Sequence, residues 1–248
     1  MHPHPAFAWT DRGEMLAYLS DVSFSTIFVC GETGPVLVHT PVVRVGDDRL
    51  RFHISRANRA AAALEHAHAL LSCVGPDAYV SPDWYGVPDQ VPTWNYVAVE
   101  CEGPLRKLDE AELAHLLEEL SRDQEARLAP KPEWTRAKMA PGRFETMLKA
   151  IVGFEMRIQA MRGTRKLGQT KNTEQRQASA AGVAAAGNPA MGALMVPISF
   201  PGFPGEGDHA QHGGGAASDA SSSSGGFAAA PPPRVARSPS PAKAGEDK

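Results

Sequence analysis

The sequence predicts a mainly β, α+β fold: a six-stranded antiparallel barrel with peripheral helices and a disordered C-terminal tail. Two observations lead to this fold class. The first is that six segments have strand character, at residues 23–30, 35–45, 50–55, 70–75, 94–105 and 154–159. The second is that short links or local helices join nearly all of them. Closing such strands into a barrel removes the unpaired edges that an open sheet leaves.

The first two predicted helices follow from capping residues. Thr10 is suited to cap a helix that carries Met15, Leu16 and Leu19 on one face, the arrangement of an amphipathic helix. Asn58 precedes an alanine-rich segment, which predicts a helix over residues 59–69. Both helices are expected to pack against the barrel.

Two further helices are predicted before the sixth strand. Asp109 and Glu112 have the spacing of a capping box, in which each side chain bonds the backbone N–H of the other residue. Pro141 suits the first position of another helix, which we expect to end at Gly153. The leucine stripe of the first predicts packing on the outside of the barrel, and the second is expected to point Phe144, Met147, Leu148 and Ile151 inward.

The composition changes near Ala178. From there onward alanine, glycine, serine and proline dominate, with GGG, SSSS and PPP runs. Such a segment has too few large apolar groups to offset the conformational entropy lost on folding. We therefore expect one folded domain over residues 1–177 and a disordered tail over residues 178–248.

Charge and cysteine content bound the protein's partners and location. The formal net charge of −3 gives no basic footprint for nucleic acid, so direct DNA binding is not expected. Cys30, Cys73 and Cys101 lack metal-ligand spacing and are read as buried free thiols in a reducing cytoplasm. No apolar run approaches the roughly twenty residues that cross a bilayer, so no membrane partner is expected.

Nine histidines raise the question of a metal site. His66 and His68 are two positions apart on a predicted helix and therefore diverge. His39 and His53 are single strand residues, and a lone histidine more often makes a structural hydrogen bond. We expect no zinc or other metal ion.

Aromatic residues concentrate in the segment 75–100. It holds two of the four tryptophans and three of the four tyrosines, together with four prolines that stiffen it. Crowded aromatic surface either forms a core or lines a pocket for a flat ligand. The stiffness favours a pocket.

This segment carries a resemblance to a known family. YVSPDWY (79–85) and VPTWNYVAVE (91–100) resemble the signature of PaiB-type FMN-binding negative transcriptional regulators, whose split β-barrel is related to pyridoxamine-phosphate oxidases and flavin reductases. Further matches occur in order along residues 1–177: SFSTIFV, HTP, HISRAN, MLKAIVGFEM and KLGQTK. The resemblance implies a split barrel that binds FMN, with haem as a minor alternative because some split-barrel relatives handle haem.

The HISRAN segment is the candidate phosphate site. From the residues alone, Arg56 is a surface arginine beside an ordinary helix cap. The resemblance favours the other reading, because related split barrels hold the flavin phosphate at this place. The residues so implied are His53, Ser55, Arg56, Ala57 and Asn58.

The aromatic segment is the candidate site for the ring. The resemblance implies that Trp84, Tyr85 and Trp94 stack on or flank the isoalloxazine, with Ser81, Thr93 and Asn95 at its polar edge. The alternative for the aromatic residues is the core of a homodimer interface, and both readings hold together if the site lies between two subunits.

The segment after the last strand also differs from the family. Lys166 and Gln169 match the family's Lys-Leu-Ser-Gln-Asn pattern, whose residues contact the cofactor, while Gly168 and Thr170 stand where the family has serine and asparagine. No catalytic base or nucleophile is identified, because the redox chemistry of a flavoprotein belongs to the cofactor.

Three functions follow for comparison with the structure. The leading one is an FMN-binding homodimer of PaiB type, a negative transcriptional regulator acting through flavin or redox state. The second is a flavin-dependent oxidoreductase. The third is an interaction module that has lost its cofactor, which the departures at Gly168 and Thr170 suggest.

Overall fold

Eight antiparallel strands form the sheet in the part of the chain that the computed structural model describes, residues 2–31 and 34–196. They are β1 (Ala8–Trp9), β2 (Phe24–Gly31), β3 (Gly34–Val45), β4 (Arg49–Ser55), β5 (His68–Val80), β6 (Thr93–Lys107), β7 (Ile151–Arg157) and β8 (Ala160–Lys166).

Six helices accompany the sheet in the same residues. They are α1 (Arg12–Val22), α2 (Ala61–Leu64), α3 (Glu110–Ala126), α4 (Arg143–Leu148), α5 (Thr173–Ala185) and α6 (Pro189–Met195). Three short 3₁₀ turns lie at Pro5–Phe7, Pro82–Tyr85 and Arg136–Lys138. None of the described helices combines the length and the apolar character needed to cross a membrane.

The sheet closes into a barrel of six strands. The strand order is β1-β8-β6-β5-β2-β3-β4-β7, and an additional pairing between β6 and β7 closes the ring. The six predicted strands correspond to β2 through β7, so the six-stranded antiparallel barrel is confirmed. The strands β8 and β1 extend the sheet beyond β6 and were not predicted, because β1 has two residues and β8 is mostly polar.

The barrel is split because two long strands change partners along their length. The strand β3 pairs with β2 through Pro41 and with β4 from Val42. The strand β6 pairs with β8 up to Glu102 and with β7 from Leu105. Each of these strands therefore belongs to both halves of the barrel.

Gly103 lies where β6 exchanges β8 for β7. A Cβ atom at this residue would lie 1.8 Å from the carbonyl oxygen of Arg157. Next to that contact, the N–H of Gln159 donates to the carbonyl of Glu102 at 2.8 Å. Only glycine lets the link between β7 and β8 lie this close to β6.

The core lies inside the ring. Alternate residues of β4 point inward as the sequence predicted, and Phe52 stacks on Phe154 of β7 with ring centroids 5.6 Å apart. Leu50, Phe52 and Met156 are fully buried. Burying a side chain of this size contributes about 1.5–3 kcal/mol, so these contacts are a principal source of stability.

A charge network fastens α3 to the outside of the barrel. Arg51 donates to Glu155 at 2.6 Å and to Glu112 at 3.1 Å, and Arg106 bridges the same two carboxylates. The hydrogen bond from Arg106 lowers the pKa of Glu112 to about 2. Glu112 also completes the predicted capping box with Asp109, which is thereby confirmed.

The other three predicted helices have different bounds. The N-cap of α1 is Asp11 rather than Thr10. The helix predicted over residues 59–69 is only four residues long, since His68 already pairs with Pro104 in the sheet. The helix predicted to end at Gly153 ends at Leu148, because Ile151 pairs with Ser55. In the last two cases strand pairing overrides local helix propensity.

The prediction of a disordered tail from Ala178 is wrong for residues 178–196. The helices α5 and α6 lie there, and Ala180, Val183, Met191 and Met195 pack against Val80 and Tyr85. Gly192 permits the close approach, since a Cβ there would lie 2.8 Å from the carbonyl oxygen of Ala180. Small residues thus let the two helices approach closely, and the buried side chains of Met191 and Met195 complete the core. The rest of the predicted tail, residues 197–248, lies outside the described residues.

The cysteines are free thiols, as expected. Cys73 and Cys101 are buried, whereas Cys30 is exposed at the end of β2, so burial is wrong for that residue. Burial raises the pKa of Cys73 to about 11 and that of Cys101 to about 12. Both thiols are therefore protonated and unreactive at neutral pH.

The contact at Gly103 gives a first prediction. Gly103→Ala should destabilise the protein by about 3 kcal/mol or more, since the added methyl group meets backbone rather than a movable side chain. Urea unfolding measures the change. Gly13→Ala, in α1, is the control, because its Cβ meets only the side chain of Asp11 at 3.3 Å. An equal effect of both substitutions would contradict the assigned role of Gly103.

The packing of α5 and α6 gives a second prediction. A chain ending at Gln177 loses α6 and most of α5, which exposes Val80 and Tyr85. We expect its melting temperature to fall by at least about 5 °C. A chain ending at Val196 keeps both helices and should melt within about 2 °C of the full chain. Calorimetry that finds no difference between the two truncations would show that the helix pair does not stabilise the barrel.

Candidate functional site

The predicted site residues form two groups at opposite ends of β6. The strand-end group is His53, Ser55, Arg56, Ala57 and Asn58. The hairpin group is named after the hairpin in which residues 77–80 of β5 pair with residues 93–96 of β6. Its members are Ser81, Trp84, Tyr85, Thr93, Trp94, Asn95, Lys166 and Gln169. The hairpin group lies near the start of β6, a 15-residue strand, whereas Arg56 lines a cleft with Leu108 and Asp109, just after the strand ends. One chain alone does not bring the two groups together.

The strand-end group forms a tight turn between β4 and α2. The N–H of Ala57 donates to Ser55 Oγ at 3.2 Å, and the N–H of Ala60 donates to Asn58 Oδ1 at 2.9 Å. These bonds fix the backbone on both sides of Arg56. Ser55 and Asn58 therefore position the turn through their side chains.

Arg56 is exposed but held at one point. Its Nε donates to the carbonyl of Lys149 at 2.9 Å, and its own N–H donates to the carbonyl of Ala150. In residues 2–31 and 34–196 its two terminal guanidinium nitrogens have no hydrogen-bond partner. A guanidinium oriented in this way is suited to an oxyanion. The adjoining cleft of about 80 Å³ is too small for a flavin.

His53 has a buried ring nitrogen without a partner. Its Nδ1 makes no hydrogen bond, and burial lowers the pKa of the imidazole. The side chain is therefore neutral at pH 7. Because buried polar atoms are nearly always paired, an unpaired one on the strand that leads to Arg56 fits a ligand that supplies a hydrogen-bond partner.

The outward face of the hairpin presents an aromatic pair. Trp94 is 52% exposed, its Nε1 donates to Asp77 Oδ1 at 2.8 Å, and its ring meets that of Tyr79 edge-on at 6.1 Å. Tyr96 lies on the same face, opposite Lys166. This surface is open to a planar ligand.

The inward face of the hairpin is covered by α5 and α6. Tyr85 is buried among their side chains, and Trp84 lies flat on Gly182, where a Cβ would meet Trp84 Cδ2 at 2.4 Å. Ser81 caps the 3₁₀ turn that holds both rings. The structure thus gives Trp84 and Tyr85 a packing role, and their predicted contact with a flavin stays a prediction.

Asn95 points to the inward face, away from Trp94, because successive strand residues alternate. It is 1% exposed, and its Nδ2 has no hydrogen-bond partner. The two residues therefore face opposite sides of the hairpin, and their predicted contacts with one flavin ring stay a prediction. This separation was not visible in the sequence.

Lys166 and Gln169 close the turn after β8. Lys166 Nζ donates to Thr93 Oγ1 at 2.6 Å, and burial lowers its pKa. Gln169 uses both ends of its amide within the turn, accepting from the N–H of Leu167 and donating to the carbonyl of Arg165. Lys166 can still attract a negatively charged ligand, whereas Gln169 stabilises the turn.

Sequence reasoning missed Lys171 and Arg176, which lie beside this turn. Lys171 Nζ contacts the ring of Tyr85 at 4.6 Å, and Arg176 lies in α5. One signal pointed to α5: Asn172 and Gln175 have capping-box spacing, and the box is formed. The alanine-rich composition after it outweighed that signal.

Within the described residues no group of three or more His, Cys, Asp and Glu side chains is arranged to hold a metal ion. His39 instead bonds Thr26 through Nδ1 at 2.9 Å. The candidate site is therefore built from aromatic, amide and cationic side chains.

Comparison with known proteins adds three findings. A family model described as "Putative FMN-binding domain" matches residues 1–160. "Protease synthase and sporulation protein PAI 2" of Bacillus subtilis (strain 168) is 30% identical over 170 residues, which are 67% of this chain and 81% of the relative. The flavocytochrome Anf3 from Azotobacter vinelandii covers 68% of this chain and 73% of its own, with a TM-score of 0.51 at 20% identity. That structural likeness shows the shared fold alone.

The contact between Trp84 and α5 gives a third prediction. Gly182→Ala should destabilise the protein by about 1–2 kcal/mol, because the methyl group displaces the indole ring. In a Trp84→Ala background the same substitution should cost nothing further. Unfolding free energies of the two single variants and the double variant complete the cycle. Additive effects would show that the two residues do not interact.

Proposed function

Because this chain belongs to the PaiB-type FMN-binding domain family, we propose that it is a regulatory flavoprotein that works as a cytoplasmic homodimer. That it is a flavin-binding split-barrel protein follows from the family itself. What we propose beyond the family is where the cofactor lies, that a second subunit completes the site, and that the protein has a regulatory output.

One observation supports the placement most directly. The strand-end group combines a tethered Arg56, with two free guanidinium nitrogens, and a neutral His53 with an unpaired Nδ1. Arg56 is a donor that suits a phosphate, and His53 is a neutral polar group that suits the chain linking the phosphate to the flavin ring. The donor set present in the fold therefore fits FMN.

FMN supplies one- and two-electron redox chemistry when it is bound. The chain's own residues bind and orient it. Arg56 provides a charge-assisted hydrogen bond to the phosphate, and the backbone bonds around Ser55 and Asn58 keep that arginine in place. Trp94 offers an exposed face to the ring.

A second copy of the chain is proposed because the site is incomplete without it. The strand-end group and Trp94 lie at opposite ends of β6 in one chain. The outer face of β2, β3, β5 and β6 carries several exposed apolar side chains. Phe28 is in register with Leu37 and Tyr79 with Trp94, and Phe24 and Val74 are also exposed. So large an apolar face is unusual on a monomer, and pairing it with a second copy would cover it.

The regulatory output is supported by the relative's name, "Protease synthase and sporulation protein PAI 2". With a net charge of −3, we propose that the effect passes through a protein partner rather than direct DNA contact. The free thiols Cys73 and Cys101 suit a cytoplasmic location. Turnover of NADH by the FMN-loaded protein would favour a flavin-dependent oxidoreductase instead.

The phosphate contact gives a fourth prediction. Arg56→Ala should weaken FMN binding by about 10-fold to 150-fold, because a hydrogen bond to a charged group contributes roughly 1.5–3 kcal/mol. Riboflavin, which lacks the phosphate, should bind the wild type and the variant almost equally. Flavin absorbance and fluorescence titrations measure both affinities.

The matched control is Arg59→Ala, an exposed arginine three positions away, which should change FMN affinity by less than about threefold. If Arg56→Ala weakens riboflavin as much as FMN, the phosphate does not lie at Arg56. If the wild-type protein binds no flavin, the cofactor-free interaction module replaces the flavoprotein.

The second subunit gives a fifth prediction. Phe28→Glu combined with Val74→Glu should convert a dimer to a monomer, because both charges enter the proposed apolar interface. Leu128→Glu is the control, since Leu128 is also exposed but lies in the segment after α3 rather than on a strand of that face. Light scattering at micromolar concentration measures the mass. A monomeric wild type would refute the dimer.

A further inference from the structure

The turn between β8 and α5 carries positive charge that no carboxylate balances. Lys166, Lys171 and Arg176 form no salt bridge with any residue in the ranges 2–31 and 34–196. Their partners are neutral: Thr93 Oγ1 for Lys166, Gln90 for Lys171 and the carbonyl of Met195 for Arg176. All three side chains are partly buried, where unbalanced charge is costly.

Two buried donors face this turn without a partner. Asn95 is 1% exposed and its Nδ2 makes no hydrogen bond, and Nε of Arg176 is likewise buried and unpaired. Burial lowers the pKa of Arg176 from its usual range, although an arginine still remains charged at pH 7. Two orphaned donors in one place indicate a missing acceptor.

Gly168 brings the two residues to a common point. A Cβ on Gly168 would lie 3.6 Å from Arg176 Cγ and 3.8 Å from Asn95 Nδ2; apart from the two neighbouring residues in the chain, no other atom of residues 2–31 and 34–196 lies within 4 Å of it. Gly168 has a φ of +86°, a conformation that favours glycine. The absent side chain leaves a gap between the two donors, and this gap is where a ligand atom can enter.

We propose that Asn95 and Arg176 bind the oxyanion group, a phosphate or a carboxylate, of a small-molecule ligand other than the flavin. The donors supply the hydrogen bonds, and Lys166 and Lys171 supply additional positive charge. Because Asn95 points to the inward face of the hairpin and Trp94 to the outward face, this site is separate from the proposed ring surface. It does not depend on the proposed function, and Arg176 lies beyond residues 1–160 that the family model matches.

The test is calorimetric titration of the full chain, free of flavin, with inorganic phosphate and separately with acetate, in a zwitterionic buffer at constant ionic strength. We expect saturable binding of at least one anion by the wild type. Arg176→Gln and Asn95→Leu should each weaken it by about tenfold or more, since each removes a hydrogen bond to a charged group. Arg122→Gln, on the exposed surface of α3, should change it by less than about twofold.

Circular dichroism and melting temperature establish that each variant is folded. If Arg176→Gln does not fold, Arg176→Lys, which keeps the charge, and Asn95→Leu carry the test. Absence of saturable binding by the wild type, or equal weakening by Arg176→Gln and Arg122→Gln, would overturn the proposal.

A flavin titration tells the two possible sources of the oxyanion apart. The ratio of FMN affinity to riboflavin affinity should be the same in Arg176→Gln and in the wild type. A ratio that falls to about one would mean that Arg176 holds the flavin's own phosphate, which would refute a separate ligand. Loss of flavin binding in the wild type, by contrast, would leave the anion titrations unaffected and would count only against the proposed function.

Discussion

The contact between two backbones at Gly103 is the constraint on which the barrel depends. The strand β6 leaves β8 and joins β7 at this residue, and the carbonyl oxygen of Arg157 lies where a side chain would otherwise be. The ring of six strands closes only because of that exchange. It also makes β6 run the full height of the barrel, so that the two groups of candidate site residues lie at its two ends.

The alternation of side chains along β6 then separates two kinds of surface. Trp94 and Tyr96 face outward, on the side of the sheet that also exposes Phe24 and Phe28. Asn95 faces inward, beneath α5, with an unpaired donor. A single strand thus contributes to two different sites. Its outward face suits a flat ring or a second subunit, and its inward face contributes a buried polar side chain. The helices α5 and α6 decide the difference, because they cover one face of the hairpin and leave the other open.

At the opposite end the barrel is stiffened by charge rather than by apolar packing alone. Arg51 and Glu155 are both buried and pair with each other. Arg51 also pairs with Glu112, and Glu155 also pairs with Arg106 and Arg49. Buried ions are tolerated when every hydrogen-bonding position is satisfied. The network fixes α3 and β7 against β4, and β4 delivers Arg56 to the carbonyl of Lys149. The orientation of Arg56, the candidate phosphate-binding residue, therefore follows from the packing of the strands around it.

The amino-acid sequence by itself determined the six barrel strands, the capping box of Asp109 and Glu112, and the family. Each of these is written in neighbouring residues: alternation along one strand, a spacing of three, or a contiguous motif. The tertiary structure alone decided the length of α2, the existence of β8, and the burial of Trp84 under Gly182. These depend on pairing and packing between residues far apart in the chain. The C-terminal helices show the reason most clearly, since alanine and glycine look featureless in a composition yet pack tightly once another surface lies within reach.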